Sequence, residues 1–235
     1  MTPTLVIIGD THMDPTAIVA ADRATPPGVP FLHVGDLDYH PDSAAIWARM
    51  AASLQREVFA LHGNHDRFEL AWRDATEPVR LAPQLSFVPD GTVLTFGGLR
   101  VGCVGGATSI DRRDREPIGR WDPHEALRPS EVARAMAMGP VDLLVTHCPP
   151  QDVIERLLLP KDLLRHYGLP LSWRDPVAAQ IQAIRAAVGQ PPVVSGHIHV
   201  PFAAPELGAY IVGMDRVLPW PVPDDADPEG RHRFP

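Results

Sequence analysis

Apolar residues in this chain fall into short unbroken runs, and most of the runs end in polar residues. Residues 4–10 (TLVIIGD), 30–36 (PFLHVGD) and 57–64 (EVFALHGN) follow this pattern. A short apolar run without alternation predicts a strand covered on both faces. Between these runs, 14–24 (DPTAIVAADRA) and 41–54 (PDSAAIWARMAASL) carry helical spacing. Their starts are marked by Asp14-Pro15 and Pro41-Asp42-Ser43. Strand–helix–strand–helix–strand at this spacing predicts βαβ units and a parallel sheet.

The middle of the chain reads differently. Residues 84–106 hold β-rich runs separated by Asp90-Gly91 and Gly97-Gly98, which predicts an antiparallel meander. Residues 141–147 predict a further buried strand, and 175–189 an amphipathic helix ending at Gly189. Late strands are expected over 191–199 and 208–214. There is no internal repeat, so 1–214 reads as a single domain. Residues 215–235 read as a Pro-rich, irregular tail.

Composition narrows the class. The 235 residues are 45% hydrophobic and 21% charged, as in a globular protein with a sizeable core. The net charge of −8 argues against broad nucleic-acid binding, which depends on Lys and Arg neutralising phosphates. Two distant cysteines, Cys103 and Cys148, suit neither a disulfide scaffold nor a thiolate metal site. The N-terminus lacks a basic region and a cleavage site, and no apolar run approaches the ~20 residues of a membrane span. A cytoplasmic location without membrane association is the expectation.

Eleven histidines change the picture, because of where several of them fall. The first strand ends in Asp10-x-His12, the second in Gly35-Asp36 and the third in Gly63-Asn64-His65-Asp66. The strand over 141–147 ends in His147, and the one over 191–199 in His197-x-His199. Ligands of open α/β sheets sit outside the carboxyl ends of the strands. Five ends therefore deliver Asp10, His12, Asp36, Asn64, His147, His197 and His199 to one edge. Imidazole and carboxylate suit divalent ions such as Mn, Fe, Zn or Co, with Mn the first choice. Seven such side chains exceed the needs of one ion and suit two if a carboxylate bridges.

The ordered series DxH…GDxx…GNHD…H…GHxH, running from Asp10 to His199, resembles that of the calcineurin-like metallophosphoesterases. The resemblance implies an α/β fold, a four-layer α/β/β/α sandwich of two mixed sheets flanked by helices. It implies one ion on Asp10, His12 and His199, another on Asn64, His147 and His197, and Asp36 as the bridge. It makes His65 the active-site histidine, which stabilises the transition state or protonates the leaving oxygen. His65 needs an acid to set its tautomer, and both Asp66 and Asp38 stand near enough in sequence. The chain departs from the protein-phosphatase branch of the family, whose second motif reads GDxVDRG. Here the segment is GDLDYHP, with Tyr39 at the place of the second acid and no arginine after it, which puts Ser/Thr phosphatase activity in doubt.

The expected activity is hydrolysis of a small phosphodiester or nucleotide by a two-ion centre. A metal-dependent nuclease and a non-catalytic interaction scaffold are the alternatives, and the complete ligand set speaks against the scaffold. GGATSIDRRDR carries Arg112, Arg113 and Arg115 and could present a phosphate-binding guanidinium, with Arg112 and Arg113 the named candidates, against the plainer reading of a solvated charged loop. Trp121 is a weak candidate for a substrate wall. His33 reads as a packed core residue and His62 as a support behind the ligands. His40, His124, His166 and His232 read as surface or loop residues.

Overall fold

A computed structural model describes residues 2–157 and 161–221. Two six-stranded mixed sheets face each other, with helices on both outer sides. The first sheet is built from β1 (Leu5–Ile8), β2 (Phe31–His33), β3 (Val58–Ala60), β4 (Val79–Ala82), β5 (Leu85–Phe87) and, from the far end of the chain, Val217–Trp220. The second holds β6 (Thr92–Phe96), β7 (Leu99–Val104), β8 (Leu143–Thr146), β9 (Val193–Ser195), β10 (Phe202–Ala204) and β11 (Ala209–Ile211). With Val217–Trp220 as β12, the orders are β12-β1-β2-β3-β5-β4 and β10-β11-β9-β8-β7-β6. The four-layer sandwich expected from the motifs is the one observed.

The strand pattern explains the layers. Along β1, Leu5 and Ile7 point between the sheets, where they meet Leu32, Val101, Leu143 and Val194. Val6 and Ile8 point outward, against Ile18 of α1 (Thr16–Ala24) and Trp47 of α2 (Ala44–Ala51). Successive residues thus serve two different cores, so the run has no polar side. A short α3 (Leu70–Arg73) follows β3, and α4 (Arg112–Arg115) follows β7. The outer core of the second sheet packs under α5 (Pro129–Met136), α6 (Gln151–Leu157) and α8 (Pro176–Ala187), with α7 (Lys161–His166) between the last two in sequence.

Register aligns the strand ends. Ile8 is paired with His33, His33 with Ala60, and Thr146 with Ser195. The loops that follow β1, β2, β3, β8 and β9 therefore leave the sheets at one level, along one edge.

Three expectations need correction. Residues 84–106 are not one meander: β5 pairs in parallel with β3 in the first sheet, and only β6 and β7 form a hairpin, in the second. Asp90-Gly91 is the crossing between sheets, where Asp90 is buried and its Oδ1 accepts the Gly105 N–H at 2.5 Å. A crossing and a hairpin turn use the same residue types, so the local pattern does not separate them. The region 215–235 is not irregular throughout, since β12 pairs antiparallel with β1, Leu5 against Trp220. Residues 222–235, with His232, lie outside the described residues. His40 is buried, not at the surface. His33 is a core residue as expected, fully buried, with Nε2 3.1 Å from Thr11 Oγ1. Cys103 and Cys148 are free and buried. Among the described residues no helix is long and apolar enough to cross a membrane.

Candidate metal centre

All seven candidate ligands converge at the shared edge. His12 Nε2 and His199 Nε2 stand 2.9 Å apart. Asp10 Oδ2 lies 3.5 Å from His199 Nε2, and Asp36 Oδ2 lies 3.6 Å from His12 Nε2. One ligand atom from each of these four residues fits within a 4.8 Å span. On the other side of Asp36, Oδ1 lies 3.5 Å from His147 Nε2, which is 3.0 Å from Asn64 Oδ1. His197 stands beside His147, ring centroids 5.1 Å apart. The two oxygens of Asp36 thus face two different groups of ligands.

The backbone is bent to make this possible. His12, Asp36, Asp38, His197 and His199 all have positive φ, between 41° and 68°. Such geometry is costly for residues other than glycine and concentrates where function demands it. Two glycines clear space for the carboxylates. A Cβ on Gly63 would sit 2.0 Å from Asp36 Oδ1, and one on Gly196 would sit 2.3 Å from Asp10 Oδ1.

A second layer orients the first. His147 Nδ1 is 3.1 Å from the Val34 carbonyl, which places its proton there and leaves Nε2 as a lone pair toward the site. His197 Nε2 lies 3.3 Å from Asp175 Oδ2, leaving Nδ1 for the site. Asn64 donates from Nδ2 to Ser109 Oγ at 3.0 Å, which aims its Oδ1 at the site. Ser109 Oγ donates in turn to Glu125 at 2.5 Å and accepts from Arg115 Nη1 at 2.6 Å. Asp175, Ser109, Glu125 and Arg115 escaped the sequence reading as supports of the site. Asp175 carries only the signature of a helix cap, which it also is, accepting the Val177 N–H.

His65 lies at the mouth. Its Nδ1 is 3.3 Å from Asp38 Oδ1, and its Nε2 is 3.9 Å from Asp111 Oδ2. Asp66, the other acid considered for it, turns away. Its Oδ2 accepts the N–H groups of Asp36 and Gly63 at 2.9 and 2.8 Å, and its Oδ1 accepts that of Tyr39 at 2.8 Å. Arg112 and Arg113 are exposed and spent elsewhere: Arg112 pairs with Glu116 at 3.1 Å and covers Trp121, while Arg113 pairs with Asp114 at 3.2 Å. Neither they nor Trp121 line the cavities beside the site.

Electrostatics favour bound cations. Asp10 and Asp36 are buried together, and burial followed by the Asp36 charge pushes the Asp10 carboxyl well above its usual range. Burial opposes ionisation of Asp36 too, but the rings of His147, His65 and His12 hold it well below that range. Burial also works against a charged His12, yet the carboxylates of Asp38, Asp36 and Asp10 lift it to about 9. Burial lowers His147 to about 3 and His199 to about 4. Asp10 Oδ1 and Asp36 Oδ2 are buried without any hydrogen-bond partner. Unpartnered buried carboxylate oxygens are costly unless a cation compensates them. The imidazoles of His147 and His199, kept neutral by burial, stand with these oxygens as a donor set for borderline divalent ions, so the residues fit divalent metal.

Among the described residues, two cavities adjoin the centre, and both are lined by His65 and Asp111. The first, of about 410 Å³, has Asp36, Asn64, His197 and His199 among its lining residues. The second, of about 500 Å³, has Asp38, His40, Arg115 and Arg120 among its lining residues, beside Met13, Ile46 and Ile118.

No curated protein matches the chain. The family model for calcineurin-like phosphoesterases matches residues 3–201, more than four fifths of the chain and every residue of the centre. That match, on two mixed sheets whose strand ends gather Asp10, His12, Asp36 and His199, places the chain in the calcineurin-like phosphoesterase family.

Proposed function

We propose that the protein is a two-ion phosphoesterase that hydrolyses small phosphodiesters, nucleotide-type esters included. The observation that carries this reading is the division of Asp36, with Oδ2 toward His12 and Oδ1 toward His147. A carboxylate so placed could serve two ions at once, and Asp10, His12 and His199 would hold one and Asn64, His147 and His197 the other. Mn is the first choice of metal. When bound, divalent ions in such a pair neutralise phosphate charge and lower the pKa of water.

The chain's own residues do the rest. Asp38 accepts the Nδ1–H of His65, and although burial works against it, the charges of Asp36 and Asp38 favour the ring protonated on both nitrogens, whose Nε2 proton points into the mouth shared by the two cavities. From there it can pass to the departing ester oxygen. Asp66 ties the Asp36 and Gly63 turns together, which keeps the bridging carboxylate in place while charge builds up in the transition state. Arg115, the buried guanidinium beside the mouth, is committed to Ser109 Oγ and to the carbonyls of Asn64 and Arg120. Arg120, the other guanidinium lining the second cavity, pairs with Asp42 at 3.1 Å. Among the described residues a dianionic monoester would thus meet only arginines that already have partners in the two cavities, which favours a monoanionic diester. Comparison of kcat/KM for bis-(p-nitrophenyl) phosphate and p-nitrophenyl phosphate on Mn²⁺-loaded protein tests this. A diester preference is expected, and a clear monoester preference would remove that part of the reading.

A further inference from the structure

The first cavity joins metal ligands to a wall of another character. Its far side is formed by Leu157 of α6, Leu163 and Leu164 of α7, and Tyr167 and Trp173 in the chain that follows. Ile198 and Val200 flank His199 on the near side. No Lys or Arg lines it among the described residues. Apart from the ligands and His65, its charged lining group is Asp111, which faces His65 Nε2 at 3.9 Å and Arg115 at 3.6 Å. Leu163 and Val200 remain 39% and 58% exposed, an apolar rim left open by the described residues.

Resting on the phosphoesterase reading, we propose that this cavity is the subsite for the organic group of the substrate. That group is neutral and apolar, of aromatic size, and carries no second phosphate. Three observations support this assignment. The cavity is continuous with the ligands, so a phosphorus held there places one ester arm along the Leu164–Trp173 wall. Its volume of about 410 Å³ lies in the range of small-ligand pockets, about 300–1,000 Å³, and is ample for a ring system. An anionic arm would meet apolar side chains and the Asp111 carboxylate, with no cation to offset its lost hydration. The arginines lie across the His65–Asp111 divide, lining the second cavity.

The test is binding to the Mn²⁺-loaded protein by titration calorimetry, with two non-hydrolysable probes, methylphosphonate and 2-naphthylmethylphosphonate. The naphthyl probe should bind about tenfold tighter or better, since it buries a ring that the methyl probe lacks. Trp173→Ala should abolish most of that ratio while leaving the methylphosphonate Kd unchanged. Leu163→Asp, at an exposed position that tolerates substitution, should do the same and keeps the test valid if the tryptophan variant fails to fold. Equal affinities in the unaltered protein, or a ratio that survives in the folded variants, would overturn the assignment and leave the phosphoesterase reading intact. Failure of methylphosphonate to bind the loaded protein would instead strike that reading, and this assignment with it.

Discussion

Asp38 holds His65: its Oδ1 lies 3.3 Å from His65 Nδ1, although Asp66 is the immediate neighbour in sequence. The positive φ of Asp38, 57°, turns its side chain back toward the ring. If His65 delivers a proton to the leaving group, Asp38 acts through it. His65→Asn should then lower kcat by about 10²–10³-fold for esters of poor leaving groups, and far less for p-nitrophenyl esters. Asp38→Asn should follow the same leaving-group dependence, and the double variant should be little worse than His65→Asn alone. An equal loss across all leaving groups would favour electrostatic stabilisation over proton donation.

Asp66 has a structural task instead. Its carboxylate accepts three backbone N–H groups, from Asp36, Gly63 and Tyr39. Asp66→Ala strands those donors in a buried turn and should cost about 2–4 kcal/mol in urea unfolding. It should also weaken metal binding, since Asp36 loses its anchor. Unchanged stability would show that the turn holds without it.

Asp175 sets the orientation of His197 from 3.3 Å away while capping α8. Asp175→Asn keeps a cap but weakens the hold on the ring, and should lower metal affinity about 10–100-fold. Competition with a chelator of known affinity measures this. Retention of full affinity would mean that His197 is placed by its backbone alone.

Much of this arrangement was legible in the sequence, and the exceptions have physical causes. The candidate ligands are readable because each follows a buried run, and parallel strands in level register bring their ends to one edge. The place of β5 is not legible, because residues 88–91 can equally close a hairpin or carry the chain to the facing sheet. Strand β12, Val217 to Trp220, is masked in the sequence by Pro219 and the prolines that follow it, and sits at an edge, where proline is tolerated. The choice of Asp38 over Asp66 depends on one positive-φ turn, which sequence spacing does not encode. Three arginines stand together in the sequence, and only the fold separates them: Arg112 and Arg113 face solvent, while Arg115, on the same short helix, turns inward.

The division of Asp36 between two groups of ligands is the central claim, and metal stoichiometry tests it most directly. Elemental analysis after Mn²⁺ reconstitution and removal of free metal should give two ions per chain for the unaltered protein. Asp36→Asn, which removes the shared charge, should lose both or hold them far more weakly. One ion or none in the unaltered protein, or two firmly held ions in Asp36→Asn, would contradict the account.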